Sequence, residues 1–222
     1  MSSLLRTSIG KKVIVAVTGL LLFGFVLMHL AGNLTIFLGP DALNAYAEKL
    51  RHLGGLLWVA RAALLAAALA HIAVSVQVTI ENRRARPSRY AVVQPAQSTV
   101  ASRSMIVSGL TILAFLAYHL AHFTFRVTHP DMSNLTDALG RHDVYSMVVY
   151  GFQQPVISGL YVTAMALLCL HLGHGLASTC QTLGWADDRT MPVAQRIGAI
   201  VAGLIAVGYC AIPVSVLAGW LK

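Results

Sequence analysis

Charge is what this chain has least of. Lys, Arg, Asp and Glu together make up 11% of its 222 residues, and only eight residues are acidic. Soluble domains carry about 25% charged residues, so the composition excludes an ordinary water-exposed fold. Cysteine is scarce as well: Cys169, Cys180 and Cys210 all fall within or at the end of apolar stretches, with no C-x-x-C spacing. A disulfide scaffold is therefore not expected, and the three read as small buried thiols. No repeat with a period of 20–50 residues is visible, which argues against solenoids and propellers. Ten-residue alternations of apolar and polar residues are missing too, which argues against a membrane β-barrel.

What is present in quantity is apolar length, with hydrophobic residues at 57% of the chain. The few charges cluster so tightly that uncharged intervals remain at 13–40, 62–80, 104–125, 144–186 and 197–221. Each holds roughly 20 apolar residues, enough to span a bilayer. Hydrocarbon offers no partners to backbone amides, so continuous apolar runs select helices. The sequence predicts an all-α integral membrane protein, one domain over 1–222, with five transmembrane helices at about 13–38, 56–82, 104–126, 150–180 and 197–221. Four of these form a bundle, with the fifth beside it. The first run is too long for an ordinary signal-peptide core and lacks a small-residue cleavage site, so it reads as a retained helix.

Orientation follows from Lys and Arg in the short flanks. With the N-terminus in the cytoplasm, that side holds Arg6, Lys11, Lys12, Arg83, Arg84, Arg86, Arg89, Arg103, Arg189 and Arg196; the other keeps Lys49, Arg51, Arg61, Arg126, Arg141 and Lys222. The bias predicts N-in, C-out. A net charge of +8 then suits anionic lipid or a docking partner, and nucleic acid is not expected. The connection from Glu81 to Arg103, with Pro87 and Pro95 blocking helix continuation, is the most basic cytoplasmic segment.

Against this apolar background stand four histidines, one in each of the first four spans: His29, His71, His119 and His171. An ionisable side chain at membrane depth is a functional site by default. Counted from the cytoplasmic ends, His29 lies 17 residues in from Lys12 and His119 16 from Arg103, whereas His71 lies 12 from Arg83 and His171 11 from Thr182. The first two share an outer level and the second two an inner one, about 8 Å apart. Two opposed imidazoles at one depth suit the two axial positions of a haem iron, so two pairs suggest two haems with no open coordination position, built for electron transfer. Small residues one turn away, Gly32, Ala67, Ala68, Ser75 and Gly175, are consistent with room for a macrocycle or with plain helix packing.

Of the remaining histidines, His122 and His174 each follow a candidate ligand by three residues and share its helix face. They read as groups that hydrogen-bond a haem propionate or support the ligand, although either member of each pair has the right chemistry to be the ligand. His52, His129 and His142 fall in the outer connections as surface residues. The segment from Gly39 to Glu48 reads as a turn and a short amphipathic helix, in which Asn44, Tyr46 and Glu48 form a possible quinone and proton site.

Taken together, the segments Ser8-Ile9-Gly10-Lys11-Lys12 leading to Gly19, Met28-His29-Leu30-Ala31-Gly32-Asn33, Gly39 to Tyr46, His71, Tyr118-His119-Leu120-Ala121-His122-Phe123, His171-Leu172-Gly173-His174-Gly175 and Gln181-Thr182-Leu183-Gly184 give the chain a familiar pattern. It resembles, over essentially its whole length, the single-chain, two-haem cytochrome b subunit of succinate dehydrogenase and fumarate reductase. The resemblance implies a membrane anchor for a flavoprotein subunit and an iron–sulfur subunit on the cytoplasmic face. Two haems b, held by His29 with His119 and by His71 with His171, would pass electrons between that assembly and membrane quinone. Succinate chemistry would lie outside this chain. Some fumarate-reducing relatives carry an acidic residue two positions before the fourth ligand; here it is Cys169, which leaves succinate oxidation with menaquinone as partner at least as well supported. Two other readings share part of the pattern: a two-haem cytochrome b serving a hydrogenase or formate dehydrogenase, and a metal-ion transporter chelating through His119/His122 and His171/His174.

Overall fold

The computed structural model describes residues 7–85, 100–128 and 130–222. The Pro87–Pro95 connection and His129 lie outside these residues. Among them the chain forms α1 (Ser8–Leu34), α2 (Pro40–His52), α3 (Gly55–Arg84), α4 (Val100–His119), α5 (Val144–Phe152), α6 (Pro155–Thr182) and α7 (Met191–Leu217). Five segments are long and apolar enough to cross a membrane: Ser8–Leu38, Gly55–Arg84, Ser104–Thr124, Pro155–Thr182 and Met191–Leu217. The described residues contain no strand beyond one isolated bridge between Thr136 and His142. The protein is an all-α membrane protein.

Local chemistry sets the helix ends. Thr7 opens α1 by accepting a hydrogen bond from the Gly10 amide at 3.1 Å, satisfying one of the free N–H groups of the first turn. A short 3₁₀ turn, Thr35–Leu38, then leads to Gly39, whose φ of 103° lies where side chains are disfavoured. Pro40 immediately starts α2, its fixed φ already helical. The fourth span begins later than the apolar run suggests, because residues 150–152 belong to α5 and the chain breaks before Pro155. Gln154 is extended (φ −82°, ψ 113°), the conformation a following proline imposes. The fifth span runs Met191–Leu217 instead of 197–221 and continues through Pro213.

α4 does not end at His119 but widens into a π-turn over Leu120–Thr124, with Phe125 N–H reaching back to Leu120 O at 2.7 Å. Such widened turns occur frequently at functional sites.

Packing runs α3 on α1, α1 on α6 and α6 on α4, with α7 laid against α6 and α1. α7 approaches α6 where two glycines cross; a Cβ at Gly198 would come within 2.8 Å of Gly173 O. Small residues let transmembrane backbones meet in this way. Starts and ends of helices define two faces. Lys11 and Glu81 pair at 2.5 Å on the near face, and the short helices α2 and α5 cover the far face. The tightest core lies at that far end, where Ile36, Leu43, Tyr145, Val149, Phe152, Tyr161 and Val216 cluster.

Candidate functional site

The helices bring His29 of α1 and His119 of α4 together, with ring centres 5.8 Å apart and planes at 86°. His71 of α3 and His171 of α6 lie one level nearer the near face, within electrostatic reach of each other. Both pairs are diagonal: α1 reaches α4 and α3 reaches α6, whereas the backbone packing follows the order α3, α1, α6, α4. Imidazoles therefore face across helices that are not the principal packing neighbours.

A bulky planar group fits that arrangement. Two metal–imidazole bonds of about 2 Å, plus the ring radii, set opposed ring centres about 6 Å apart, close to the observed separation. In their most apolar windows the histidine-bearing spans are 6% buried for α3 and α4, 11% for α1 and 22% for α6, against 33% for α7, which carries no histidine. Among the described residues no group of three or more His, Cys, Asp or Glu side chains converges, so the donors come in twos.

Aromatic rings wall the far pair. Phe25 stacks on His29 at 5.3 Å, Phe115 lies 5.9 Å from His119, and Tyr209 of α7 approaches His29 at 6.2 Å while donating to Val26 O at 2.8 Å. α7 thus contributes to this site and is more than a prop. Tyr161 of α6 is the polar hub, its hydroxyl 3.3 Å from His119 Nδ1 and 3.0 Å from His122 Nδ1. A phenol has one proton to give, so it donates to one imidazole and accepts from the other. His122 is fully buried, stacked on Phe123 at 4.0 Å, and connects to His119 through that hydroxyl. His174 is half-buried on α6.

The near pair is held differently. His71 Nδ1 lies 3.1 Å from Val15 O and 3.2 Å from Thr18 Oγ1, and His171 Nδ1 lies 3.2 Å from Ser108 Oγ. Space for both rings comes from glycines: a Cβ at Gly19 would meet His71 Cε1 at 3.2 Å, and one at Gly109 would meet His171 Cε1 at 3.4 Å. Sequence reasoning missed Thr18, Ser108 and Gly109, and singled out Gly19 only as part of the family pattern. Gly32, consistent with either macrocycle room or helix packing, receives the ring of Tyr46, whose hydroxyl would stand 2.5 Å from an added Cβ.

The three residues of the possible quinone site have separate surroundings. Asn44 is 1% exposed and fully engaged: its amide donates to Asp143 Oδ1 at 3.0 Å and Asp137 Oδ2 at 3.3 Å, and its oxygen accepts from Tyr145 N at 2.9 Å. It staples α2 to α5. Tyr46 packs on α1. Glu48 alone lines a cavity of about 340 Å³, with Arg51, His52, Arg141 and His142 around it.

Near that cavity Arg141 bridges Asp41 and Asp137, each at 2.7 Å. Burial pushes the Asp137 carboxyl up, but the Arg141 side chain and the amides of Arg141 and Leu139 outweigh it and hold Asp137 below the usual carboxylate range. Asp143 is likewise pushed up by burial, yet the Ser146 hydroxyl and amide and the Asn44 amide keep it low. His142, expected as a surface residue, accepts from Arg126 at 2.8 Å and donates from Nδ1 to Leu135 O at 3.0 Å. That contact accompanies the left-handed backbone of Arg126, φ 57°.

Comparison of the chain with protein-family models, with curated proteins and with solved structures gives no match.

Proposed function

We propose that this chain is the dihaem cytochrome b membrane-anchor subunit of a succinate:quinone oxidoreductase, passing electrons between an iron–sulfur subunit and membrane quinone. The observation that carries the proposal is the diagonal pairing of imidazoles at two depths, with His29 and His119 at 5.8 Å. One haem b would be held by His29 and His119 and the other by His71 and His171. When bound, each would supply a one-electron iron centre held by two imidazoles of this chain. The chain's own part is to fix four imidazoles, exclude water through the aromatic wall, and keep the two levels apart. Glu48, facing the far-face cavity, is the residue to take or give protons as quinone changes its electron count, and menaquinone is the proposed quinone. In this reading the N-terminus is cytoplasmic, in a bacterial inner membrane. The flavoprotein and iron–sulfur subunits dock on the near face, where Lys12, Arg83, Arg84, Arg189 and Arg196 lie.

Paired donors argue against the metal-transport reading, because a chelating site draws three or four protein ligands to one point. The cytochrome of a hydrogenase or formate dehydrogenase shares the bis-imidazole chemistry and is separated by its partners. The test is purification of the complex with a reduced-minus-oxidised spectrum and a haem count. Two haems b per chain with a flavin-bearing partner is the expected result. A nickel or molybdenum partner, or no reducible haem absorption, overturns it. Reduction of purified ubiquinone but not menaquinone would refute the quinone assignment alone.

A further inference from the structure

The near-pair imidazoles are supported by the same device twice. Thr18 Oγ1 lies 2.7 Å from Ile14 O, and Ser108 Oγ lies 3.1 Å from Met105 O. Each hydroxyl has one proton, and a carbonyl can only accept, so that proton is committed to the hydroxyl's own helix. Towards the imidazole each oxygen is therefore an acceptor, and Nδ1 of His71 and of His171 must carry the hydrogen. Val15 O, an obligate acceptor 3.1 Å from His71 Nδ1, fixes the same tautomer independently. In both rings the lone pair is left on Nε2.

The surrounding sequence is duplicated. Thr18-Gly19-Leu20 is followed by Phe25 and by His29-Leu30-Ala31; Ser108-Gly109-Leu110 is followed at identical spacing by Phe115 and by His119-Leu120-Ala121. The geometry repeats as well. The hydroxyl meets the next long helix's imidazole, the glycine clears its ring, and the phenylalanine packs on the histidine of its own helix. Hydroxyl and glycine in one helix thus serve the near pair, while phenylalanine and histidine in the same helix build the far pair.

We propose that Thr18 and Ser108 are positioning residues of a duplicated Thr/Ser-Gly-Leu-x4-Phe-x3-His module, each taking the Nδ1–H of His71 or His171 so that both rings present Nε2 to one shared metal ion. This rests on the haem reading given above. Hydrogen-bonding the outer nitrogen orients a ligand and makes it a stronger electron donor, which favours the oxidised metal and sets the potential of this centre below its value without the hydroxyls. Among the described residues no Ser or Thr hydroxyl is seen to do this for the far pair. His119 Nδ1 faces the Tyr161 phenol instead.

The test is a potentiometric titration, with low-spin haem EPR, of the full chain in its purified complex, comparing Thr18→Val and Ser108→Ala with the hydroxyl-keeping Thr18→Ser and Ser108→Thr. The expected result is an upward shift of one of two haem waves, with a changed EPR signal for that haem only. Loss of that one haem, which orienting residues about a metal commonly cost as a 10- to 100-fold fall in affinity, supports the proposal equally. Thr18→Ser and Ser108→Thr should keep the wild-type wave. Unchanged waves in Thr18→Val and Ser108→Ala, equal shifts in the hydroxyl-keeping pair, or a shift of the other haem overturns the proposal and leaves the haem reading standing. A wild-type protein without reducible haem overturns that reading first.

Discussion

His119, ending α4, and His122, in the π-turn that follows, share one phenol, that of Tyr161, at 3.3 and 3.0 Å. The buried histidine is tied to the paired one by a single hydroxyl supplied from α6. Tyr161→Phe keeps the ring and removes that hydroxyl, stranding an imidazole nitrogen of both histidines. The expected cost is about 1–3 kcal/mol, read as a lower unfolding temperature in detergent, with the near-pair signals unaffected. Unchanged stability would mean that water replaces the phenol.

Single alanine substitutions at His29, His119, His71 and His171 should each remove one haem, and the survivor should identify the pair. His29→Ala and His119→Ala should leave the same spectrum, and His71→Ala and His171→Ala the complementary one. Retention of both haems in His71→Ala or His171→Ala refutes the ligand assignment.

Two glycines of α7 give opposite expectations. Gly198→Ala drives a methyl into Gly173 O, where 2.8 Å is available, and overpacking of this kind costs about 1–3 kcal/mol. Gly203→Ala meets nothing within 4 Å and should be neutral or stabilising by up to about 1 kcal/mol. Thermal unfolding of the two side by side checks the contrast; equal effects would place the close approach elsewhere.

The far-face cap should loosen in acid. Asp137 and Asp143 both hold their protons less tightly in the fold than in the open chain. Their contribution is therefore complete above the ordinary Asp value of about 3.9 and is lost as pH falls through the lower folded values. Amide exchange at Tyr145, whose N–H donates to Asn44, should accelerate below that range and stay flat between pH 5 and 8. An onset near neutrality would point to a histidine instead.

Glu48→Gln should lower quinone-linked turnover about 100-fold or more, the scale of a lost proton-transfer group, while both haem signals persist. Full turnover would remove Glu48 from the quinone site.

The five spans were legible because apolar length and sparse charge leave few alternatives in hydrocarbon, and the histidine levels followed from rise per residue alone. Helix ends were less so. The break at Gln154 is written in Pro155, yet the apolar run through Tyr150–Phe152 masks it. Gly32 shows the limit of reading small residues as room for a ligand, since the space it leaves is filled by Tyr46, 14 positions along the chain. Thr18, Gly19, Ser108 and Gly109 carried a usable signal, a repeat offset by 90 residues, which lies outside the 20–50-residue periods that reveal stacked repeats. Asn44 looked like site chemistry because a polar residue near a turn can serve either a ligand or the fold; only its three partners on α5 and the preceding loop distinguish the two.

Each diagonal pair draws one imidazole from the first half of the chain and one from the second. During synthesis the ribosome releases α1 and α3 long before α4 and α6, so a nascent chain holds two half-sites and no complete one. In the haem reading, the group joining each pair would arrive only after both halves are in the bilayer and would work as a clasp between hairpins inserted separately.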